Sequence, residues 1–254
     1  MIPLPAPDVT WFDVLGETRV GRAGDGVVVE WPGFLRMTAS PAMDSAHVEV
    51  LGDLDQDIVT KAGGFARALP AYLRGGIVFH AAAVSVGDRA LLVLGDSGAG
   101  KSTTAALLCD HGASLIADDT ALGRLEGDAL WLQPLEDTHW LDEAARRALA
   151  RADASLGKRP VAGTASRAPA RLAAVVVLEA GATIAITPLH GLACAGALLK
   201  SALRLPLDAT RSKEDLDRLA RVARTVPFFR VLRPREFSSN LKELPSLLLR
   251  LFTP

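Results

Sequence analysis

Gly95-Asp96-Ser97-Gly98-Ala99-Gly100-Lys101-Ser102-Thr103 fits the pattern G-x-x-x-x-G-K-[ST], the mark of a loop that cradles phosphate. The residues before it, Ala90-Leu91-Leu92-Val93-Leu94, form an apolar run that reads as a buried strand. The residues after it, Thr104-Ala105-Ala106-Leu107-Leu108-Cys109, are mostly good helix formers. Strand, glycine loop and helix together give the pattern its physical meaning. Gly95, Gly98 and Gly100 permit a backbone path and a closeness of approach that side chains would block. The loop amides, from Gly95 through Asp96, Ser97, Gly98, Ala99, Gly100 and Lys101 to Ser102 and Thr103, then converge with the helix N-terminus on phosphate oxygens. In this arrangement Lys101 reaches the β and γ phosphates of a nucleotide, and the Ser102 hydroxyl is placed to ligate Mg²⁺.

Downstream, Gly112 is placed to stop the loop helix in a left-handed turn. Ser114-Leu115-Ile116-Ala117 reads as a short apolar strand running into Asp118-Asp119. Strand–helix–strand crossovers are right-handed and put parallel strands near each other in one sheet. Ligands bind beyond the carboxyl ends of such strands. Asp118 and Asp119 are therefore expected beside the phosphate loop. One carboxylate would serve the metal, and the other would accept a proton from an attacking hydroxyl.

The bulk numbers bound the class of protein. The chain has 254 residues, 49% of them apolar, enough for one large domain with a smaller companion. A net charge of −1 removes the electrostatic case for nucleic acid. Cys109 and Cys194 show neither metal spacing nor a disulfide framework, which fits a reducing cytoplasm. The first residues do not read as a signal peptide, and no apolar run is long enough to span a membrane.

Residues 1–52 read as a small β-rich unit. Val27-Val28-Val29-Glu30-Trp31 follows the turn signal Gly24-Asp25-Gly26, and His47-Val48-Glu49-Val50 alternates as a half-buried strand does. Its bland reading is a packing or homo-oligomerisation module, and its sharper one a platform for docking substrate. Residues 53–75 read as a helical connector broken at Gly63-Gly64 and Pro70. Residues 76–254 form the main domain. Within it, Ile77 to Val86 reads as one strand turning through Gly87-Asp88 into the loop strand. On residue type alone, His80 in that apolar run reads as a hydrogen-bonded core residue. Leu122 to Leu132 reads as a hairpin about Glu126-Gly127-Asp128, Pro134 to His139 as a polar loop, Trp140 to Ala152 as a helix, and Arg151 to Ala168 as a mobile loop. Leu172 to Leu178 reads as a buried strand with Ala182 to Pro188 as its edge neighbour. An apolar helix over Leu189 to Leu205, a helix capped by Ser212, a strand at Pro227 to Leu232 and a closing helix over Leu241 to Leu251 complete an α/β alternation. Arg211 and Lys213 are candidates for a charge clamp on substrate.

Three separated motifs, Phe79-His80, Gly95 to Ser102 and Leu115-Ile116-Ala117-Asp118-Asp119, resemble in order and spacing the catalytic domain of HPr kinase/phosphorylase. That family shares an unusual phosphate-loop fold with phosphoenolpyruvate carboxykinase. The resemblance implies an α/β, HPr kinase C-terminal/PEP carboxykinase-like domain behind the β-rich unit. It implies ATP and Mg²⁺ as cofactors, with Lys101 on the phosphates. Asp118 would be the base, Asp119 would join Ser102 at the metal, and His80 would be a site residue near the catalytic carboxylate. The Glu-Ile-Arg-Gly-Leu-Gly-like run of that family is missing here, and Asp142, Glu143 or Glu136 stand as substitutes for its acidic ligand. The layout looks more like the HPr-kinase-like tailoring enzymes of lasso-peptide biosynthesis, which implies a peptide substrate bearing serine, with a precursor's terminal Ser as acceptor. The alternatives are a kinase of HPr or of free serine, or a nucleotide-binding regulatory module without transfer activity.

Overall fold

In a computed structural model of the chain, the described residues are 9–15, 18–149, 158–234 and 243–252. The chain divides into two units, Met1–Gly76 with Arg204–Leu216, and Ile77–Leu203 with Asp217–Pro254.

The first unit opens with an antiparallel meander of β1 (Thr10–Leu15), β2 (Thr18–Ala23), β3 (Gly26–Trp31), β4 (Leu35–Ala39) and β5 (Ala46–Val50). Alternation sets its faces: Leu35, Met37 and Ala39 of β4 are buried while the residues between them are half-buried. Glu30 is buried and tied to Arg36 by contacts of 2.6 and 2.7 Å, so the charge does not lie unpaired. Helix α1 (Gln56–Leu73) follows, N-capped by Asp55. Sequence reasoning breaks this helix at Gly63-Gly64 and Pro70, and the structure does not. Ala62, Ala66, Leu69 and Leu73 stay buried at helical spacing, and that packing outweighs the one amide bond that Pro70, in the last turn, cannot make. Phe65 meets Trp31 edge to face at 5.8 Å, which ties α1 to the meander. The helix is therefore part of this unit and not a separate connector.

Arg204–Leu216 returns to the same unit. Arg211 donates to the carbonyls of Tyr72 and Leu73 at the end of α1, stacks over the Tyr72 ring at 4.4 Å, and pairs with Asp215 at 3.0 Å. Tyr72 Oη donates to Asp215 at 2.7 Å and accepts from the Leu205 amide at 3.0 Å. Arg211 thus acts as a C-terminal cap for α1, and the substrate-clamp reading of Arg211 is corrected.

The second unit is built on a nine-stranded mixed sheet. The expected single strand from Ile77 to Val86 is two, β6 (Ile77–His80) and β7 (Ala82–Val86), broken at Ala81. β7 turns through Gly87-Asp88 into β8 (Arg89–Gly95), as expected. Helix α2 (Lys101–Asp110) and β9 (Ser114–Ala117) follow, then the hairpin β10 (Thr120–Glu126) and β11 (Ala129–Gln133). Later come β14 (Ala170–Ala180), β15 (Ala185–Leu189), and β16 (Phe228–Arg233); a separate ribbon pairs β12 (Thr138–Leu141) with β13 (Arg159–Ala162). The main path runs β6-β10-β11-β14-β8-β7-β9. Because β6 and β7 are consecutive in the chain yet lie near opposite ends of that path, the sheet curls on itself.

Residues alternate in burial between two layers. Ala90, Leu92 and Leu94 of β8 pack with Cys194 and Leu198 of α4 (Leu192–Ser201) and with Leu219 and Val222 of α5 (Ala209–Thr225). Leu91 and Val93 face the other way, toward Ala105 and Leu108 of α2 and Leu244 and Leu248 of α6 (Leu244–Leu249). Helices on both faces explain why β8 and β14 read as nearly unbroken apolar runs.

Several local expectations are corrected. His139, Trp140 and Leu141 are buried strand residues of β12, so the helix starts only after Asp142, as α3 (Glu143–Ala148). Arg159–Ala162 is a strand and not loop, while residues 151–157 of the expected mobile loop lie outside the described residues. β15 pairs with β16 and not with β14. The cap of α5 comes from Asp208, whose carboxylate accepts from the Arg211 amide at 2.7 Å; Ser212 sits inside the helix, donating to the Asp208 carbonyl. The helix expected from Leu189 spans only Leu192–Ser201, since Leu189 belongs to β15.

Candidate functional site

Sheet direction assembles the site. β8, β14 and β16 are mutually parallel, with Gly95 opposite Leu178 and Ala180 opposite Arg233. β7 lies antiparallel between β8 and β9, so β9 also points the same way. The segments that leave these four strands, at Gly95, Ala180, Arg233 and Ala117, therefore emerge at one edge.

The loop from Gly95 leads into α2 through Gly100, whose φ of 93° is left-handed and which offers no side-chain cap to the first-turn amides. Lys101 is 7% exposed, and its Nζ donates to the carbonyls of Gly95 at 2.9 Å and Asp96 at 3.3 Å. Burial pushes its pKa below the usual lysine value, against the pull of Asp119 and, more weakly, Asp118. Asp96 pairs with Lys200 of α4, chiefly by a hydrogen bond that holds its pKa below the usual carboxylate range. Beyond Gly95 and Asp96 opens a cleft of about 290 Å³ walled by Leu178, Leu189 and Ala197, with Glu179, Lys200 and Arg230 supplying charge.

Asp118 is 2% exposed, and burial raises its pKa to about 7. The Trp140 amide, donating to Oδ2 at 2.5 Å, and the Ser102 hydroxyl work against that rise, while Glu136 and Asp119 add to it. Oδ1 makes no well-formed hydrogen bond among the described residues, although the Ser102 hydroxyl is near enough to lower the pKa. Asp119 sits one residue further out with its side chain 30% exposed, beside His80 at 57%. His80 Nδ1 lies 3.7 Å from Asp119 Oδ1 and 3.2 Å from the Asp119 carbonyl oxygen. A carbonyl only accepts, so the contact calls for a proton on Nδ1. The residue-type expectation that His80 is a core histidine is thereby corrected: β6 and β10 pair Thr120 with His80, and that register delivers the ring to the Asp119 end.

Sequence reasoning missed two contributors. Glu136 enters it only as a substitute metal ligand, yet Glu136 Oε2 accepts the amides of Asp118 at 2.6 Å and Asp119 at 3.0 Å. It pins the backbone of the acidic pair, and its place in a polar loop after β11 is the only sequence signal. Of the other two substitutes, Asp142 caps α3 through the Ala145 amide, and Glu143 pairs with Arg147. Arg233, the last residue of β16, is the second omission. It is 5% exposed, and a Cβ placed on Gly100 would lie 2.4 Å from its Nη2. No local pattern around Arg233 signals this, because sheet order alone brings it to the loop.

The donors near the loop suit a hard cation. Ser102 and the two aspartates offer oxygen only, with one buried oxygen uncommitted, which is the chemistry Mg²⁺ takes alongside phosphate. Among the described residues, no three His, Cys, Asp or Glu side chains converge into an all-protein metal site. None of the described helices is long and apolar enough to cross a membrane.

No family model matches the sequence, and no curated protein matches it. Among solved structures, the chain is similar to the HPr(Ser) kinase/phosphatase from Coxiella burnetii, with 14% identity over 68% of this chain and 93% of that one, at a TM-score of 0.38. A likeness of that size carries no argument about activity, and the site speaks through its own residues.

Proposed function

We propose that this protein is an ATP- and Mg²⁺-dependent kinase that phosphorylates a serine hydroxyl on a peptide. The observation that carries the reading is the meeting of a phosphate loop with paired carboxylates at one sheet edge, one of them buried, with an uncommitted oxygen beside Ser102. Bound ATP would supply the phosphoryl group, and Mg²⁺ would offset its charge. The loop amides and Lys101 hold the phosphates and steady the charge that builds on their oxygens. Ser102 and Asp119 are the cation ligands. Asp118, with its pKa near neutrality, takes the hydroxyl proton of the acceptor through its uncommitted oxygen. His80 braces Asp119, and Glu136 keeps both carboxylates on target.

The contact between Ser102 and Asp118 favours a second assignment, with Asp118 on the cation and Asp119 receiving the proton. Two variants separate them. If Asp118 is the base, Asp118→Asn keeps Mg²⁺-dependent ATP binding and loses transfer, while Asp119→Asn loses the Mg²⁺ dependence. The reverse pattern exchanges the roles. The reading as a whole is tested by incubating the protein with ATP, Mg²⁺ and a panel of peptides differing in their terminal residue, with mass spectrometry as readout. A gain of one phosphate on serine, absent in Lys101→Ala, is expected. ATP binding with no phosphorylated serine in any peptide would leave a nucleotide-gated regulatory module in its place.

A further inference from the structure

Arg233 stands out among the charged groups of the second unit. It closes β16 at the edge where the phosphate loop leaves β8, and β14 pairs with both strands. Its guanidinium lies on the Cα face of Gly100: Nη2, Cζ and Nε would sit 2.4, 2.6 and 3.1 Å from a Cβ there. A glycine at that point is required twice over, by its φ of 93° and by this contact. The side chain is 95% buried, and Nη1 has no hydrogen-bond partner among the described residues. Burial pushes the guanidinium below its ordinary pKa, and Asp142 is the charge that opposes the push.

A buried guanidinium nitrogen left without a partner is costly, and such groups persist where a ligand completes them. Its position selects the ligand. Gly100 immediately precedes Lys101, so the guanidinium borders the cradle. On the sheet path β16 and β9 lie on opposite sides of β8, so Arg233 reaches the loop from the flank away from Asp118 and Asp119, and it meets the loop beside Lys101, the residue that reaches the outer phosphates.

We propose that Arg233 is a phosphate-binding residue supplied from within the chain, which grips the terminal phosphoryl group of the bound nucleotide and thereby distinguishes a triphosphate from a diphosphate. The planar fork of arginine suits two phosphoryl oxygens at once, and its charge would meet the negative charge gathering there during transfer. This rests on the loop reading given above, and the test is arranged so that the two can fail separately.

Affinities for ATP and ADP, each with Mg²⁺, are measured by calorimetry in the wild-type protein, Lys101→Ala, Arg233→Gln and Arg233→Lys. Wild type should bind both nucleotides, and Lys101→Ala should lose both. Arg233→Gln should weaken ATP roughly tenfold or more while ADP stays within about threefold. Arg233→Lys should fall between, keeping charge without the fork. A residue that only props up the loop would weaken both nucleotides alike, so an unchanged ATP-to-ADP ratio in Arg233→Gln overturns the proposal while leaving the loop reading intact. If wild type binds neither nucleotide, the loop reading fails and this proposal falls with it. Should Arg233→Gln not fold, the same ratio in Arg233→Lys decides, since that variant retains a cation beside the loop.

Discussion

Replacing Asp118 by Asn should stabilise the protein while removing its chemistry. Asp118 has a folded-state pKa of about 7, against an ordinary value of 3.8. Between those two values the folded protein holds a proton that the unfolded chain has released. Stability contributed by this group is thus complete below the lower value and lost as pH rises through the upper one, with a slope near −1.4 kcal/mol per pH unit. Three units of difference correspond to about 4 kcal/mol in all. From about pH 5 to about pH 8, the wild type should lose about 3 kcal/mol from this source, a fall of roughly 6–12 °C in melting temperature for a chain this size. Asparagine carries no proton to lose. Its carbonyl oxygen can accept the Trp140 amide as Oδ2 does, and its NH₂ then takes the place of the uncommitted Oδ1. Thermal melts of both proteins across that range should converge at the acid end and separate toward the alkaline end, with the variant the more stable. Parallel melting profiles would refute the reasoning, because they would mean that Asp118 ionises in the folded state as easily as in the unfolded chain.

Glu136→Ala should destabilise by about 2 kcal/mol, since two amides lose a charged acceptor, and transfer should suffer more than binding. Urea titration beside ATP affinity checks it. The chain has one tyrosine, so the phenolate absorbance reports Tyr72 alone. It should titrate near 12, raised first by burial and then by its bond to Asp215, and the stability this provides should persist below about pH 10 and fade as pH climbs through 12. Tyr72→Phe should cost about 1–3 kcal/mol, read by chemical denaturation, because Asp215 and the Leu205 amide both lose a buried partner.

The glycine loop, the strand before it and the acids after β9 were legible because each is a local pattern, complete within a few residues. Gly87-Asp88 and Gly127-Asp128 were legible for the same reason: two-residue turns announce their hairpins. Elements decided by distant partners were not. Thr138 to Leu141 carries no strong local preference and becomes a strand by pairing with Arg159–Ala162. Pro70 reads as a breaker because propensity ignores the packing that holds α1 together through Leu69 and Leu73. Arg233 is the extreme case: nothing near it in sequence signals its place against Gly100, which follows from strand order alone.

The first unit is discontinuous in the chain, and this bears on how the protein is made. Arg211, which closes the end of α1, follows Leu73 by 138 residues. A ribosome adding roughly 5–20 residues per second needs on the order of ten seconds to cover that stretch. Throughout that interval the emerging meander and its helix must wait, uncapped, for a segment still to be translated. The unit begun first thus stays unfinished until most of the second has been made, and a nascent chain arrested before Arg204 should expose Tyr72 to protease that the finished protein denies it.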